Sequence, residues 1–304
     1  MLSPALTYFR EVALSGSIRR AAEHLSIAPS AISRQIGNLE AVLRANLFDR
    51  RARRLTLTTA GELLLQYSER SSADFETLRE SLQQISGLQA GQVRLGSVEG
   101  MVTYFLSRYL ATFNKRYPRV RVIVSVVGSR AVLELLRDGE VDLALAFGLP
   151  ARNPFREHAR LEQPLCVIVA AGHPLASRRS ISFKALADQH VALPDRTFQI
   201  RSLIDHIATK TKTTLDRVIE TNTLEMAKGV VRNSELLTFL PRYAALREIA
   251  NGELCAVPLQ ERDLAHTSIS LITMPSRQLS PAARKLLDTF KAGMTRYGAS
   301  TERG

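Results

Sequence analysis

The chain has 304 residues, 45% hydrophobic and 23% charged, with a formal charge of +12. That balance belongs to a folded chain of two or three domains and excludes a disordered or fibrous one. No apolar run reaches the roughly 18 residues of a spanning helix, so no membrane partner is expected.

The opening stretch MLSPALTYFREVALSGSIRR has no basic segment followed by an apolar run and does not read as a secretory leader. Pro4 to Leu14 instead form an amphipathic helix, with Leu6, Phe9, Val12 and Ala13 on one face and Gly16 as its stop. Ser17 stands at the N-cap position of a short second helix that runs to Leu25, where Ala21 and Ala22 let another helix approach closely. After the turn Ser26-Ile27-Ala28, Pro29 takes the first position of a third helix, where its missing N–H costs nothing. Ile32, Ile36, Leu39 and Leu43 form the inward stripe of that helix, and Ser30, Ser33, Arg34 and Asn38 lie off it. A short helix, a tight turn and a second helix with polar residues at its start make the helix-turn-helix pattern.

Two short helices about a turn also occur in proteins that never touch DNA. The next segment separates the readings. Leu47 and Phe48 pin it to the core, Leu55 and Leu57 alternate with Thr56 and Thr58 as a half-buried strand does, and Arg50, Arg51, Arg53 and Arg54 lie between. This is a β-wing with a cationic tip, suited to a phosphate backbone or a minor groove. Residues 1–58 carry nine arginines, no lysine and four acids, a net +5. Arginine forks onto phosphates and guanine edges better than lysine does.

The succession FREVALSGSIRRAAEHL, SAISRQIGNLEAVLRANLFDR and LTLTTAGELL resembles the LysR-type family of bacterial transcriptional regulators. The resemblance implies a sequence-specific DNA-binding regulator, not an enzyme. Such a regulator works in the bacterial cytoplasm on a pseudo-palindromic operator, with RNA polymerase as a further partner. The family often has Ser-Gln-Pro where this chain has Ala28-Pro29-Ser30, so a frequent base-reading glutamine is missing. By position, base contacts fall to Ser30, Ser33 and Arg34, while Gln35 packs or meets the DNA backbone.

Thr59-Ala60-Gly61-Glu62 has capping-box spacing, with Thr59 as the cap. No proline or glycine then interrupts the chain until Gly87, and Leu64, Tyr67, Ser71, Phe75, Leu78, Leu82 and Ile85 recur at steps of three or four. One long apolar stripe between two domains suits a helix pair between subunits, and the family uses this helix for dimerisation. A dimer sets two recognition helices about one turn of DNA apart, and the family often builds tetramers from such dimers.

After Gly91 strands alternate with helices: VRLGSV, a helix over Thr103–Tyr117, VRVIVSVV, a helix over Ala131–Asp138, and DLALAF. A second set follows with LCVIVA, a helix near Ser182–Ala187, VAL, helices after Gln199 and near Leu224–Arg232, and LLTFLP followed by another helix. TSISLITM and a helix from Pro281 to about Tyr297 close the chain. RYPRVRVIVSV, ELLRDGEVDLALAF and AAGHPL extend the resemblance over nearly the whole chain. It implies a periplasmic-binding-protein-like domain of two α/β subdomains that holds an unidentified small-molecule effector between them. The domains are then residues 1–58 (winged helix-turn-helix), 59–90 (linker) and 91–304 (effector domain), the last divided into 92–163 with 266–297, and 164–265.

Ligands in such folds meet the carboxyl ends of strands and the N-termini of helices. Here those lips are Ser97, Val98, Glu99, Gly100 and Met101, then Ser129 and Arg130, Phe147, Gln199 and Arg201, and Thr223. Many family members have a Ser/Thr-rich first lip and bind a carboxylate there. Val98 and Gly100 remove hydroxyls and Glu99 adds negative charge, which leaves an amine-bearing, amphoteric or apolar effector open; Arg130 and Arg201 pull toward an anion.

Cys166 and Cys255 lie in apolar runs and read as reduced thiols in buried strands. No spacing suggests a metal site, and no cofactor is expected. A solute-binding protein would carry a secretory leader and no DNA-binding head. An enzyme would need a phosphate loop, a nucleophile elbow or a dinucleotide fingerprint, and none is present in the sequence.

Overall fold

A computed structural model describes residues 3–49, 55–85, 90–150 and 152–301. The chain divides into two compact units, the first holding the chain up to Leu82. Helix α1 (Pro4–Ser15) begins under Ser3, whose hydroxyl accepts from the Leu6 N–H, and stops at Gly16, which takes a left-handed φ of 65°. Ser17 caps α2 (Ile18–Leu25) by accepting from the Arg20 N–H. Helix α3 (Pro29–Leu43) follows Ala28, which offers no side-chain cap. Phe9, Val12, Ala21, Ala22, Ile32, Ile36, Leu47 and Phe48 make the core, with the Phe9 and Phe48 rings 5.3 Å apart. Of the expected α3 stripe, Leu39 is half-buried and Leu43 exposed, because the helix outruns this small core.

Strands β1 (Phe48–Asp49) and β2 (Thr56–Leu57) pair antiparallel and form the root of the wing. The Glu40 carboxylate holds the approach to it by accepting from the Leu47 N–H at 2.8 Å. Helix α4 (Thr59–Ile85) is capped by Thr58 rather than Thr59: the Thr58 hydroxyl oxygen accepts from the Gly61 N–H at 3.1 Å and donates to the Asn46 carbonyl. Thr58 takes the role because its own N–H is already bonded to the Leu47 carbonyl, which sets the cap residue before the helix starts. Gly61 permits the close approach that follows, since a Cβ there would lie 2.1 Å from the Leu47 oxygen. Leu64 and Leu65 seat α4 on the core.

The second unit has two lobes. In lobe I, β3 (Gly91–Ser97) lies parallel to β4 (Val120–Val126) and β5 (Leu143–Phe147). Helices α5 (Ser107–Arg116) and α6 (Ser129–Asp138) lie between these strands in sequence, and β6 (Arg156–Glu162) follows. Lobe II starts at β7 (Leu165–Ala170) and continues through β8 (His190–Pro194), α7 (Gln199–Thr211), β9 (Asp216–Thr221), α8 (Leu224–Arg232), β10 (Thr238–Pro241), α9 (Leu246–Ala250), β11 (Leu254–Pro258) and α10 (Arg262–Ala265). Strand β12 (Ser268–Thr273) and α11 (Pro281–Thr301) then return to lobe I.

The lobe I sheet runs β4-β3-β5-β12-β6; in lobe II, β10-β7-β11 are antiparallel and β8-β9 parallel, with Val191 bridging to Leu237 beside β10. The two crossings between lobes meet where the Gln163 N–H donates to the Thr267 carbonyl at 2.7 Å and the Thr267 hydroxyl donates back to the Gln163 carbonyl. Phe105, Phe113 and Phe290 are buried in lobe I, each contributing roughly 1.5–3 kcal/mol of transfer free energy.

The expected helix at Ser182–Ala187 is only a 3-10 turn over Phe183–Leu186. The helix expected from Thr103 is entered through a 3-10 turn (Glu99–Met101) and a π turn (Val102–Leu106) before α5 proper begins. Among the described residues no helix is long and apolar enough to cross a membrane.

Candidate nucleic-acid interface and effector cleft

Helix α3 buries Ile32 and Ile36 and thereby turns Ser30, Ser33, Arg34 and Asn38 to solvent, with Gln35 half-buried beside them. Ala28 provides no side-chain cap, Pro29 has no N–H to offer, and the Ala31 N–H turns back to the Ala28 carbonyl at 3.0 Å, so no side chain covers the start of α3. Ser17 is half-buried at the start of α2 and lines a surface groove with Arg19, Arg20 and Thr56. Arg19 and Arg20 are site candidates that sequence reasoning passed over; their signal was a pair of cations directly after an N-cap serine. Arg50, Arg51, Arg53 and Arg54 lie outside the described residues.

On α4, Leu64 faces the head, whereas Tyr67, Phe75 and Leu78 are exposed, at 58%, 42% and 54%. These three therefore form an uncovered apolar row, one that a partner surface would complete. The side chains of Leu82 and Ile85 lie outside the described residues.

In the second unit the structure separates the expected lip residues into two groups. Ser129, Arg130, Phe147 and Gln199 line one cavity of about 500 Å³ between the lobes, together with Arg137 and Arg196. Ser129 opens α6 and Gln199 opens α7, so two helix starts border the same space. Arg130 reaches Glu134 at only 3.7 Å and is largely exposed, a pair too open to hold either charge firmly. Arg137 lies 5.8 Å from the centre of the Phe155 ring. Three guanidinium groups against one carboxylate make this cavity cationic. Sequence reasoning passed over both Arg137 and Arg196: Arg137 lies in the last turn of α6, away from any strand end, and Arg196 lies in the turn between β8 and α7, two residues after Pro194.

The other group is occupied by the protein itself. Ser97, Val98 and Met101 are buried, and the Ser97 hydroxyl donates to the Val98 carbonyl. Gly100 is pressed against Tyr243 of lobe II, where a Cβ would come within 2.8 Å of the ring. Thr223 caps α8, accepting from the Met226 N–H at 3.0 Å. Glu99 reaches across to the same helix: its carboxylate accepts from the Leu224 N–H at 2.9 Å and the Glu225 N–H at 3.2 Å. The negative charge that in sequence leaves an amine-bearing, amphoteric or apolar effector open is thus bonded to backbone donors.

Arg201, expected at the cleft lip, is engaged inside lobe II and does not line the cavity. Its side chain is 3% exposed and bonds Asp205 at 3.0 Å, Glu220 at 2.6 Å and the Pro194 carbonyl. Burial alone would lower its pKa, but the bonds to Glu220 and Asp205 hold it above the ordinary arginine value. It knits α7 to β9 inside lobe II, with Nε and Nη1 already bonded. Cys166 and Cys255 are both free thiols and sit at different registers of the β7–β11 ladder; burial pushes the Cys166 thiol up to about 11, which makes it a poor nucleophile.

Two family models match the chain: a bacterial regulatory helix-turn-helix of the lysR family over residues 4–62, and a LysR substrate binding domain over residues 86–295. A probable RuBisCO transcriptional regulator of Cyanophora paradoxa is 32% identical over 288 residues, which cover 92% of this chain and 88% of that protein. Full-length CbnR, solved with its target DNA, has a TM-score of 0.66 at 17% identity and is matched over 96% of this chain and 100% of its own. The regulatory domain of CcmR from Synechocystis, solved with 2-PG, has a TM-score of 0.61 at 22% identity over 66% of this chain and 96% of its own. With a helix-turn-helix whose polar face is turned outward and, following it in sequence, a two-lobed α/β domain, this chain belongs to the LysR family of DNA-binding transcriptional regulators.

Proposed function

We propose that the chain acts as a homo-oligomer on a pseudo-palindromic operator and that a small anionic effector changes its DNA binding. Ser30, Ser33, Arg34 and Asn38 read base edges from the major groove, while Ser17, Gln35, Arg19, Arg20 and the arginines at 50, 51, 53 and 54 hold phosphates. The observation that carries this reading is the uncapped, outward-facing polar start of α3 on a head with nine arginines and no lysine. The likeness to a regulator solved on its target DNA supports it. Pairing of α4 through Tyr67, Phe75 and Leu78, continued by Leu82 and Ile85, sets the two heads apart by one turn of DNA.

The effector class follows from the cavity. About 500 Å³ is the size of a small-metabolite site, and its arginine excess selects an anion. A neighbour of this domain fold was solved with 2-PG. The chain works in the bacterial cytoplasm as a regulator rather than an enzyme, divided at residues 58 and 90 as the sequence reading divides it, with RNA polymerase as a partner where it activates.

The test is binding of the purified chain to the intergenic DNA upstream of its own gene and to a random duplex, at two salt concentrations. Preference for the upstream DNA that survives the higher salt supports a specific regulator. Equal binding to both, lost together as salt rises, leaves only a polyanion-binding head and overturns the reading for that site.

A further inference from the structure

The contact between Glu99 and α8 spans 125 residues and both lobes. Both carboxylate oxygens are engaged: Oε1 accepts from the Leu224 N–H at 3.0 Å and the Glu225 N–H at 3.2 Å, and Oε2 from the Leu224 N–H at 2.9 Å. Thr223 takes the next donor, the Met226 N–H, so the three N–H groups that open α8 are filled, two of them from the opposite lobe. A second contact lies beside it: a Cβ on Gly100 would come within 2.8 Å of the buried Tyr243 ring and 2.9 Å of its hydroxyl, so a larger residue there would have to shift that ring. The acid beside the site, Glu225, is drawn off by Lys228, which also holds Glu248 at 2.9 Å. A helix start attracts anions through its free N–H groups and its dipole; here the anion is part of the chain.

We propose that Glu99 is a tethered ligand that determines specificity: its carboxylate fills the anion position at the start of α8, excludes an effector's acidic group from that end, and ties the lobes together with no effector bound. The acidic end of an effector is then directed to Arg130, Arg137 and Arg196, which line the separate cavity between the lobes. A molecule with an acid at both ends is rejected, and one with a single anionic end is accepted. The tie rests on the hydrogen bonds alone, whereas its consequence for ligand choice rests on the effector reading above.

The test uses the full-length chain and thermal unfolding in sodium formate against sodium chloride of equal ionic strength. Glu99→Ala leaves two backbone donors empty in a gap the size of a carboxylate. It is expected to melt several degrees below the unchanged protein, with formate, but not chloride, restoring part of the loss. The unchanged protein is expected to show no formate-specific shift. Glu99→Gln keeps the bulk and one acceptor oxygen; it is expected to melt between the two and to ignore formate, since the gap stays filled. Glu99→Ala melting with the unchanged protein, a formate effect equal in all three, or Glu99→Gln as stable as the unchanged protein would each overturn the proposal. These readouts need no effector. A chain that responds to no metabolite in operator binding loses the effector reading, and a Glu99→Ala chain indifferent to formate loses the tie.

Discussion

Gly128 of lobe I and Thr197 of lobe II touch backbone to backbone: a Cβ on Gly128 would lie 2.3 Å from the Thr197 carbonyl oxygen. A carbonyl in the turn before α7 cannot swing aside as a side-chain tip can. Gly128→Ala must therefore push the lobes apart at the mouth of the cationic cavity, at a cost of about 1–3 kcal/mol for overpacking. The expected outcome is a lower melting temperature and a weaker effector response. Unchanged values for both would mean that the lobes do not need this contact to close.

Arg34 and Arg20 are exposed on different helices and should fail differently. Arg34→Ala is expected to lose about 1–3 kcal/mol of operator binding, the worth of a good base contact. It should bind random DNA almost as before. Arg20→Ala is expected to weaken binding to both and to flatten the salt dependence by about one unit of slope. Titrations of both duplexes over a salt series check this, and a loss at Arg20 confined to the operator would contradict a phosphate role.

The exposed row Tyr67, Phe75 and Leu78 predicts the oligomer. Leu78→Glu puts a charge into a surface that dimerisation would bury, where an unpaired charge is strongly unfavourable. Light scattering after size exclusion should show a shift toward monomer, with operator affinity falling in step. A mass identical to that of the unchanged protein would place the interface elsewhere.

Arg201→Met should cost stability while sparing effector binding. The arginine is buried, but its partners Asp205 and Glu220 have 35% and 51% of their side chains exposed, so solvent relieves much of the charge that is left. The loss is therefore expected to be about 1–3 kcal/mol, below that of a fully buried pair. Melting combined with ligand titration separates the two effects, and a changed effector affinity at unchanged stability would return Arg201 to the cleft.

His158 supplies a pH dependence. Its pKa is lowered from the ordinary 6.5 by burial first, then by Arg156 and Lys291, and its Nε2 lies 2.8 Å from the Thr273 hydroxyl. The unfolded chain then takes up the proton more readily, so the contribution of this group is complete above about pH 6.5 and is lost as pH falls through the lowered folded value. His158→Gln should therefore be less acid-sensitive than the unchanged protein in that window. Parallel stability curves for the two would rule this out.

The head is legible in the amino-acid sequence alone. Serine at a cap, proline at N1, glycine at a helix stop and apolar residues at helical spacing all act within a few positions of one another. The local physics of α1 to α3 is thus written in contiguous sequence. The shift of the α4 cap from Thr59 to Thr58 is the exception that explains the rule, since it depends on the Leu47 carbonyl, eleven residues away and placed by the wing. Strands β6 and β9, REHARLE and DRVIET, are not legible in this way because they lie at sheet edges, where one side faces water and charges are tolerated.

By itself the sequence determined the winged helix-turn-helix, the long linker helix and the alternation of strands and helices behind it, because periodicity, caps and breakers are short-range effects. It also determined that Glu99 and Arg201 carry opposite charges near strand ends and helix starts. Only the tertiary structure decided what those charges do. Glu99 meets the N–H groups of α8 from another lobe, Arg201 is taken up by Asp205 and Glu220, and Arg137 and Arg196 become neighbours of one cavity. Whether a charge is free for a ligand depends on which donors and acceptors lie within about 3 Å of it, and for residues more than a hundred positions apart only the packing of the two lobes sets that distance.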